Sequence, residues 1–365
     1  MTGGHITPAI ATIEEMRNRF PDWKIVFVGR KYALEGTKVI SEECRIIKEM
    51  DIRFIPIIAG RLKREGSVST IVALLKVPVG LLQACLFVLR EKPDMVVSFG
   101  GYVALPVAMS ARLFGVPVVT HEQTMRPGLA NRIISWVATK ICISFPGTEK
   151  MLAKKHRVVL TGLPIRKDVL FPPASPPFTL DKSKPMLLIV GGSTGSVSIN
   201  EAVFKALPDL LSRFTVMHQV GRYSVARAEE VVRALPPSQR ERYVVRPYLS
   251  PQEYSWALHA AQLIIGRSGA NTVTEIALAG AVALFIPLPW AANNEQLHNA
   301  QVLLPYGSVI LPQKKLSAKT ILAHVSSMIS NIDERKDMAA RISETLPHDG
   351  AKRFVDVIEH CLLAP

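Results

Sequence analysis

Short apolar runs alternate with longer stretches of helical periodicity along most of the 365-residue chain. The runs at 24–29, 95–98, 116–120, 140–144 and 158–161 read as strands buried on both faces, with helical patterns such as 106–114 and 129–137 between them. A second set begins at 186–190 and continues through 215–219, 243–245, 263–265 and 283–286. Such alternation predicts an α/β fold of two Rossmann-like, doubly wound parallel-sheet domains facing a cleft at the carboxyl ends of both sheets. The stiff stretch Phe171-Pro172-Pro173-Ala174-Ser175-Pro176-Pro177 separates the two sets. The predicted domains are 1–165 and 166–344. The amphipathic tail at 345–365 has no place in the second sheet and is expected to return to the first domain.

The segment 68–89 breaks the alternation. It is almost continuously apolar and long enough to span a bilayer, but Lys76 would sit at mid-depth and Pro78 would break or kink a helix. Three readings stay open: a membrane span, a pair of core helices, or an interfacial patch flanked by Arg61, Lys63, Arg64, Arg90 and Lys92. The net charge of +14 favours an anionic partner: nucleic acid, an anionic membrane surface or a phosphorylated substrate. Nucleic acid is disfavoured, since there is no zinc pattern, no aromatic RNA-binding motif and no basic tail. Cys44, Cys85, Cys142 and Cys361 are widely spaced and no signal-peptide pattern opens the sequence, so reduced thiols in a cytoplasmic protein are expected.

The chemistry concentrates in glycine-rich turns at strand-to-helix junctions. These are Thr2-Gly3-Gly4-His5, Phe99-Gly100-Gly101-Tyr102, Gly191-Gly192-Ser193-Thr194-Gly195 and the run Gly266-Arg267-Ser268-Gly269-Ala270-Asn271-Thr272-Val273-Thr274-Glu275. Backbone N–H groups at such junctions bind phosphate. Glu275, about a turn into its helix, is placed to accept hydrogen bonds from the two hydroxyls of a ribose. A nucleotide diphosphate, with or without a sugar, is the ligand this combination predicts; a Ser- and Thr-capped helix with a solvated Glu is the plain alternative.

Those motifs, together with His121-Glu122-Gln123, Pro127-Gly128-Leu129-Ala130-Asn131, Thr161-Gly162 with Pro164 and Arg166, and Gln296 with Asn299-Ala300, occur in an order that resembles the MurG family of N-acetylglucosaminyltransferases along nearly the whole chain. The resemblance implies a two-domain GT-B enzyme, inverting and without a bound metal or other cofactor. It would move N-acetylglucosamine from UDP-N-acetylglucosamine to lipid I, forming lipid II for peptidoglycan, on the cytoplasmic face of the cell membrane as a peripheral protein held at an anionic surface. It places Thr2, Gly3 and Gly4 at the junction of donor and acceptor. Arg166, Ser193, Ala270, Asn271, Thr272, Val273, Thr274 and Glu275 fall on the donor, Leu249 on the uracil and Gln296 on the transferred sugar. His5 is the first candidate for the base that takes the acceptor proton; His121 and Glu122 are alternatives, or an ion pair supporting their loop.

The chain departs from the family at Thr124, at Ala104-Leu105, at Leu163 and at Asn293-Asn294, none of which touches the ribose or diphosphate positions. The family also has an apolar strand ahead of the first glycine loop, where this sequence has only Met1. The first strand of the N-terminal domain is therefore expected to be missing, through a shortened gene model or a natural truncation. Two other functions share the donor site: a GT-B-like UDP-N-acetylglucosamine epimerase, and a catalytically impaired membrane-peripheral UDP-sugar-binding protein.

Overall fold

In the computed structural model the described residues are 3–32, 39–57, 68–178, 181, 183–192, 195–291 and 294–363, and the side-chain surroundings of 3–4 and 68–77 lie outside the description. Thr2 and Ser193, and the basic residues Arg61, Lys63 and Arg64, therefore lie outside the described residues.

The chain forms two compact units, one of residues 1–166 with 349–365, the other of residues 167–348. The first runs α1 (Gly3–Arg19), β1 (Val26–Gly29), α2 (Glu42–Glu49), β2 (Arg53–Pro56), α3 (Val68–Glu91), β3 (Val96–Ser98), α4 (Ala104–Leu113), β4 (Val118–Glu122), α5 (Leu129–Val137), β5 (Lys140–Ile143) and β6 (Val158–Leu160). The second runs α6 (Lys167–Leu170), β7 (Met186–Val190), α7 (Val197–Arg213), β8 (Thr215–Gln219), α8 (Val225–Ala234), α9 (Pro237–Arg240), β9 (Tyr243–Arg246), α10 (Pro251–Ala260), β10 (Leu263–Gly266), α11 (Ala270–Leu278), β11 (Ala283–Phe285), α12 (Glu295–Gln301), β12 (Val309–Ile310), α13 (Ala318–Ile329) and α14 (Ile332–Thr345). The last helix, α15 (Gly350–Leu363), belongs to the first unit.

In the second unit six parallel strands lie in the order β12-β11-β10-β7-β8-β9. The central strand β7, Met-Leu-Leu-Ile-Val, is buried along its whole length, as a strand covered by helices on both faces requires. Leu263 pairs with Leu187 and Met186 with Thr215 in register, so β7, β8 and β10 end together and their following loops share one sheet edge.

The first unit divides its parallel strands between a four-stranded sheet, β3-β4-β5-β6, and a separate pair, β1-β2. A cavity of about 920 Å³ lies between them, lined by Val26–Gly29, by Val96–Ser98, by α1 residues Ile6, Ala9 and Ile13, and by Ile358 and Leu362 of α15. The apolar strands β1 and β3 are consequently only half-buried on average, whereas β4 is buried throughout. The helix α15 packs Phe354, Val355 and Ile358 on Met16, Val119 and Cys142, and Arg19 of α1 forms ion pairs with Asp356 and Glu359.

One expectation is corrected. The segment that was open to reading as two core helices, with a break at Pro78, is one continuous helix, α3. Its N–H-less proline costs one backbone hydrogen bond but not the helix. Past Pro78, α3 buries Ala84 and Val88 and leaves Leu81, Leu82, Leu86 and Leu89 exposed. Among the described residues, no helix is long and apolar enough to cross a membrane.

Candidate nucleotide and sugar site

In the second unit the carboxyl ends of β7 and β10 carry the two phosphate-binding candidates. Gly266 ends β10 beside Val190 of β7, and any Cβ there would lie 2.5 Å from the Val190 carbonyl oxygen, so close pairing of the two strands requires glycine. The loop after β7 turns through Gly192 and Gly195, both at positive φ, before Ser196 caps α7. The N-terminus of α7 thus opens directly behind a glycine turn, with unpaired N–H groups and the positive end of the helix dipole together.

Arg267 joins these pieces. Its guanidinium donates to the Ile286 carbonyl at 2.8 Å, to Ser196 Oγ at 2.8 Å and to Ser198 Oγ at 3.1 Å, while the residue is only 7 % exposed. Burial pulls its pKa down to about 10, still charged at neutral pH. Sequence reasoning passed over Arg267 as part of a motif; the distant serines and the Ile286 carbonyl that it engages leave no local signal.

The helix α11 begins at Ala270, with Ala270, Asn271 and Thr272 half-buried at its N-terminal rim and Val273, Thr274 and Glu275 buried. Thr274 Oγ1 donates back to the Ala270 carbonyl, so its hydroxyl serves the helix. Glu275 is 8 % exposed, and Tyr254 of α10 donates its phenol to Oε2 at 2.7 Å. Burial first, and the neighbouring carboxylate second, raise the Tyr254 pKa, so the phenol stays protonated and keeps donating. Tyr254 is a partner that no spacing rule in the sequence reveals. Gln296 is fixed as well: its Oε1 accepts the Leu288 N–H at 3.0 Å and its carbonyl accepts from Ser268 Oγ at 2.7 Å, which leaves the donating end of the amide for a ligand. Leu249 lies between β9 and α10, and its N–H donates to Gln219 Oε1. The second unit therefore gathers Ala270–Glu275, Gln296 and Leu249 along one sheet edge.

In the first unit His5, on α1, lines the 920 Å³ cavity together with Gly100, Gly101, Tyr102, Arg30 and Glu43, and burial lowers its pKa. Arg30 lies over the Tyr102 ring at 5.4 Å, and its N–H donates to Glu43 Oε1. Burial raises the Glu43 pKa, against the lowering effect of that hydrogen bond. Gly3 and Gly4 form the start of α1. Arg166 is the last residue of this unit before the second begins and is half-buried.

His121 and Glu122 are placed differently. His121 is 0 % exposed, bonds the Gly162 carbonyl through Nε2 at 2.9 Å and meets Phe354 edge-on. Burial drops its pKa to about 4, and among the described residues nothing pairs with Nδ1. Glu122 accepts from the Thr124 N–H and Oγ1 and from Asn131 Nδ2. Asn131 also donates to the His121 carbonyl and accepts from Thr120. The pair thus shapes the loop after β4, without an ion pair between them.

Two family models cover most of the chain: the glycosyltransferase family 28 N-terminal domain matches residues 2–143, and the glycosyltransferase family 28 C-terminal domain matches residues 186–357. A UDP-N-acetylglucosamine–N-acetylmuramyl-(pentapeptide) pyrophosphoryl-undecaprenol N-acetylglucosamine transferase of Clostridium botulinum (strain Loch Maree / Type A3) is 32% identical over 98% of this chain and 96% of its own. A protein of the same name from Legionella pneumophila (strain Paris) is 33% identical over 91% of this chain and 88% of its own. The crystal structure of Acinetobacter baumannii MurG superposes with a TM-score of 0.72 at 27% identity, covering 98% of this chain and 96% of that one.

Proposed function

The chain belongs to glycosyltransferase family 28, and from that premise we propose that it transfers N-acetylglucosamine from UDP-N-acetylglucosamine to undecaprenyl-pyrophosphoryl-N-acetylmuramoyl-pentapeptide, converting lipid I to lipid II for peptidoglycan. The observation that carries this reading is the match, over 98% of the chain, to a transferase named for that donor and acceptor.

The reaction is attack of an acceptor hydroxyl on the anomeric carbon, with inversion and departure of UDP. Charge grows on the leaving diphosphate, so donors fixed in advance are worth most there. The N-termini of α7 and α11 supply them, and the buried Arg267 sets the geometry between the loops. Ser193, between Gly192 and Gly195 in the sequence, is assigned to the donor phosphates. Glu275, already aligned by Tyr254, takes the ribose hydroxyls; Gln296 offers its amide N–H groups to the sugar, and Leu249 lies on the uracil side. Arg166 adds a donor contact. His5, on the Gly3–Arg19 helix and lining the same cavity as Gly100 and Gly101, takes the acceptor proton, with Thr2, Gly3 and Gly4 assigned to the junction; His121 and Glu122 support their loop.

The lipid-linked acceptor requires contact with the cytoplasmic leaflet. The exposed leucines of α3 adjoin a shallow pocket of about 310 Å³ formed by Leu81, Met109, Ser110, Arg112, Leu113 and Val137. On α5, Ile133 and Trp136, the latter 66 % exposed, extend the apolar area, with Arg90, Arg112 and Arg132 exposed around it. An apolar surface bordered by cations suits an anionic bilayer.

Incubation with UDP-N-acetylglucosamine, with and without lipid I, tests the activity. Lipid-dependent release of UDP with formation of lipid II is expected. Lipid-independent epimerisation, or binding without turnover, would replace this reading with an epimerase or a binding protein.

A further inference from the structure

Gln219 ends β8, between β7 on one side and β9 on the other. Its carboxamide uses both ends. Nε2 donates to the Gly192 carbonyl, in the glycine loop after β7, at 3.1 Å. Oε1 accepts from the Leu249 N–H, in the segment after β9, at 3.1 Å. With strands about 4.8 Å apart, β7 and β9 lie about 10 Å from each other, a spacing that a nucleotide laid across the carboxyl edge must bridge.

Each tied segment is anchored on its far side. The glycine loop closes through the Gly195 N–H to the Gly192 carbonyl and through Arg267 to Ser196. The Leu249 segment runs into the Ser250–Glu253 capping box, and Glu253 also receives Arg246. Gln219 itself is held by its neighbours: His218 is clamped between Tyr243 and Asn200, Asn200 donates to the Val220 carbonyl, and the Val220 N–H donates to Arg246. The side chain therefore links two braced pieces from a braced strand end. The task needs a donor and an acceptor on one rigid plane, which a primary amide has and a carboxylate lacks.

The geometry points to Gln219 as a positioning residue that sets the spacing between the phosphate-side loop and the base-side segment, so that the two sides recognise one nucleotide of fixed length and base. This rests on the nucleotide-binding reading above. Without the tie, the Leu249 segment and the glycine loop drift independently, and contacts to the base lose their register with contacts to the diphosphate.

Titration calorimetry with UDP, CDP and UMP on the full chain, on Gln219→Ala and on Gln219→Glu, paired with thermal unfolding, tests it. The native chain should bind UDP and prefer it to CDP. Gln219→Ala should weaken UDP about tenfold and shrink the UDP-to-CDP preference by a similar factor, with little change in Tm. Gln219→Glu keeps the acceptor for Leu249 but turns a lone pair toward the Gly192 carbonyl, so it too should lose UDP affinity. Unchanged UDP affinity and preference in both folded variants would overturn the inference. A fall in Tm with an unchanged preference would overturn it as well, leaving a purely structural link. No UDP binding by the native chain would instead remove the nucleotide reading, and this inference with it.

Discussion

Glu275, the proposed ribose contact, is held in place by the protein itself. The Tyr254 phenol fixes one carboxylate oxygen, and the surrounding helices keep water away. A charged hydrogen bond in such a place is worth about 1.5–3 kcal/mol, so Glu275→Ala should weaken UDP binding about tenfold or more, measured by calorimetry on a variant with native thermal unfolding. Unchanged affinity would move the ribose elsewhere. His5 presents the complementary case. As the proton acceptor it should matter to turnover and not to the donor: His5→Ala is expected to lower kcat about a hundredfold at constant UDP affinity. Near-native turnover would leave it a role at the helix start only. Both stand out in the sequence as candidates, Glu275 in the motif at the β10-to-α11 turn and His5 directly after Gly3 and Gly4. The sequence left Tyr254, Glu43 and Arg267 obscure because their partners are 21, 13 and 71 residues away. It also left His121 and Glu122 ambiguous, since only burial distinguishes an enclosed strand-end histidine from a reactive one.

At the scale of elements, continuous apolar runs gave away every long strand. The strands that escaped notice are β2, with Arg53 and Pro56 in four residues, and β12, two residues long. Both are sheet-edge pieces, where burial is partial and the apolar signal fades. The cavity of about 920 Å³ between β1 and β3 leaves both strands only half-buried, although their sequences are as apolar as that of the fully buried β4. The segment around Pro78 was harder to read, since a uniformly apolar helix has no periodicity to show which side faces out. The structure exposes Leu82 at 62 %. If that face docks on lipid, Leu82→Glu with Leu86→Glu should weaken binding to anionic liposomes about a hundredfold or more while leaving UDP binding intact, because each buried leucine contributes about 1.5–3 kcal/mol. Equal sedimentation of variant and native chain would reassign α3 to another contact.

Across the whole molecule, each unit encloses a histidine in the neutral form, and that makes stability depend on pH. In the second unit His218 is fully buried between Asn200 and Tyr243, and burial drops its pKa to about 3. Unfolded, the same side chain titrates near 6.5. Below pH 6.5 the unfolded chain gains a proton that the folded unit refuses, so stability is complete above that value and falls as pH drops toward 3. The slope is about 1.4 kcal/mol per pH unit, or about 2 kcal/mol by pH 5. His121 in the first unit acts in the same direction between pH 6.5 and about 4. There Glu122 opposes it: burial raises the carboxyl pKa, so the folded unit takes up a proton before the unfolded chain does, and acidification favours folding through that group. The second unit should therefore lose stability on acidification through His218. Calorimetry from pH 7.5 to 5 should show its transition falling, and His218→Gln, though less stable at pH 7.5, should flatten that fall. Parallel falls in the native chain and in His218→Gln would mean that the proton is taken up elsewhere.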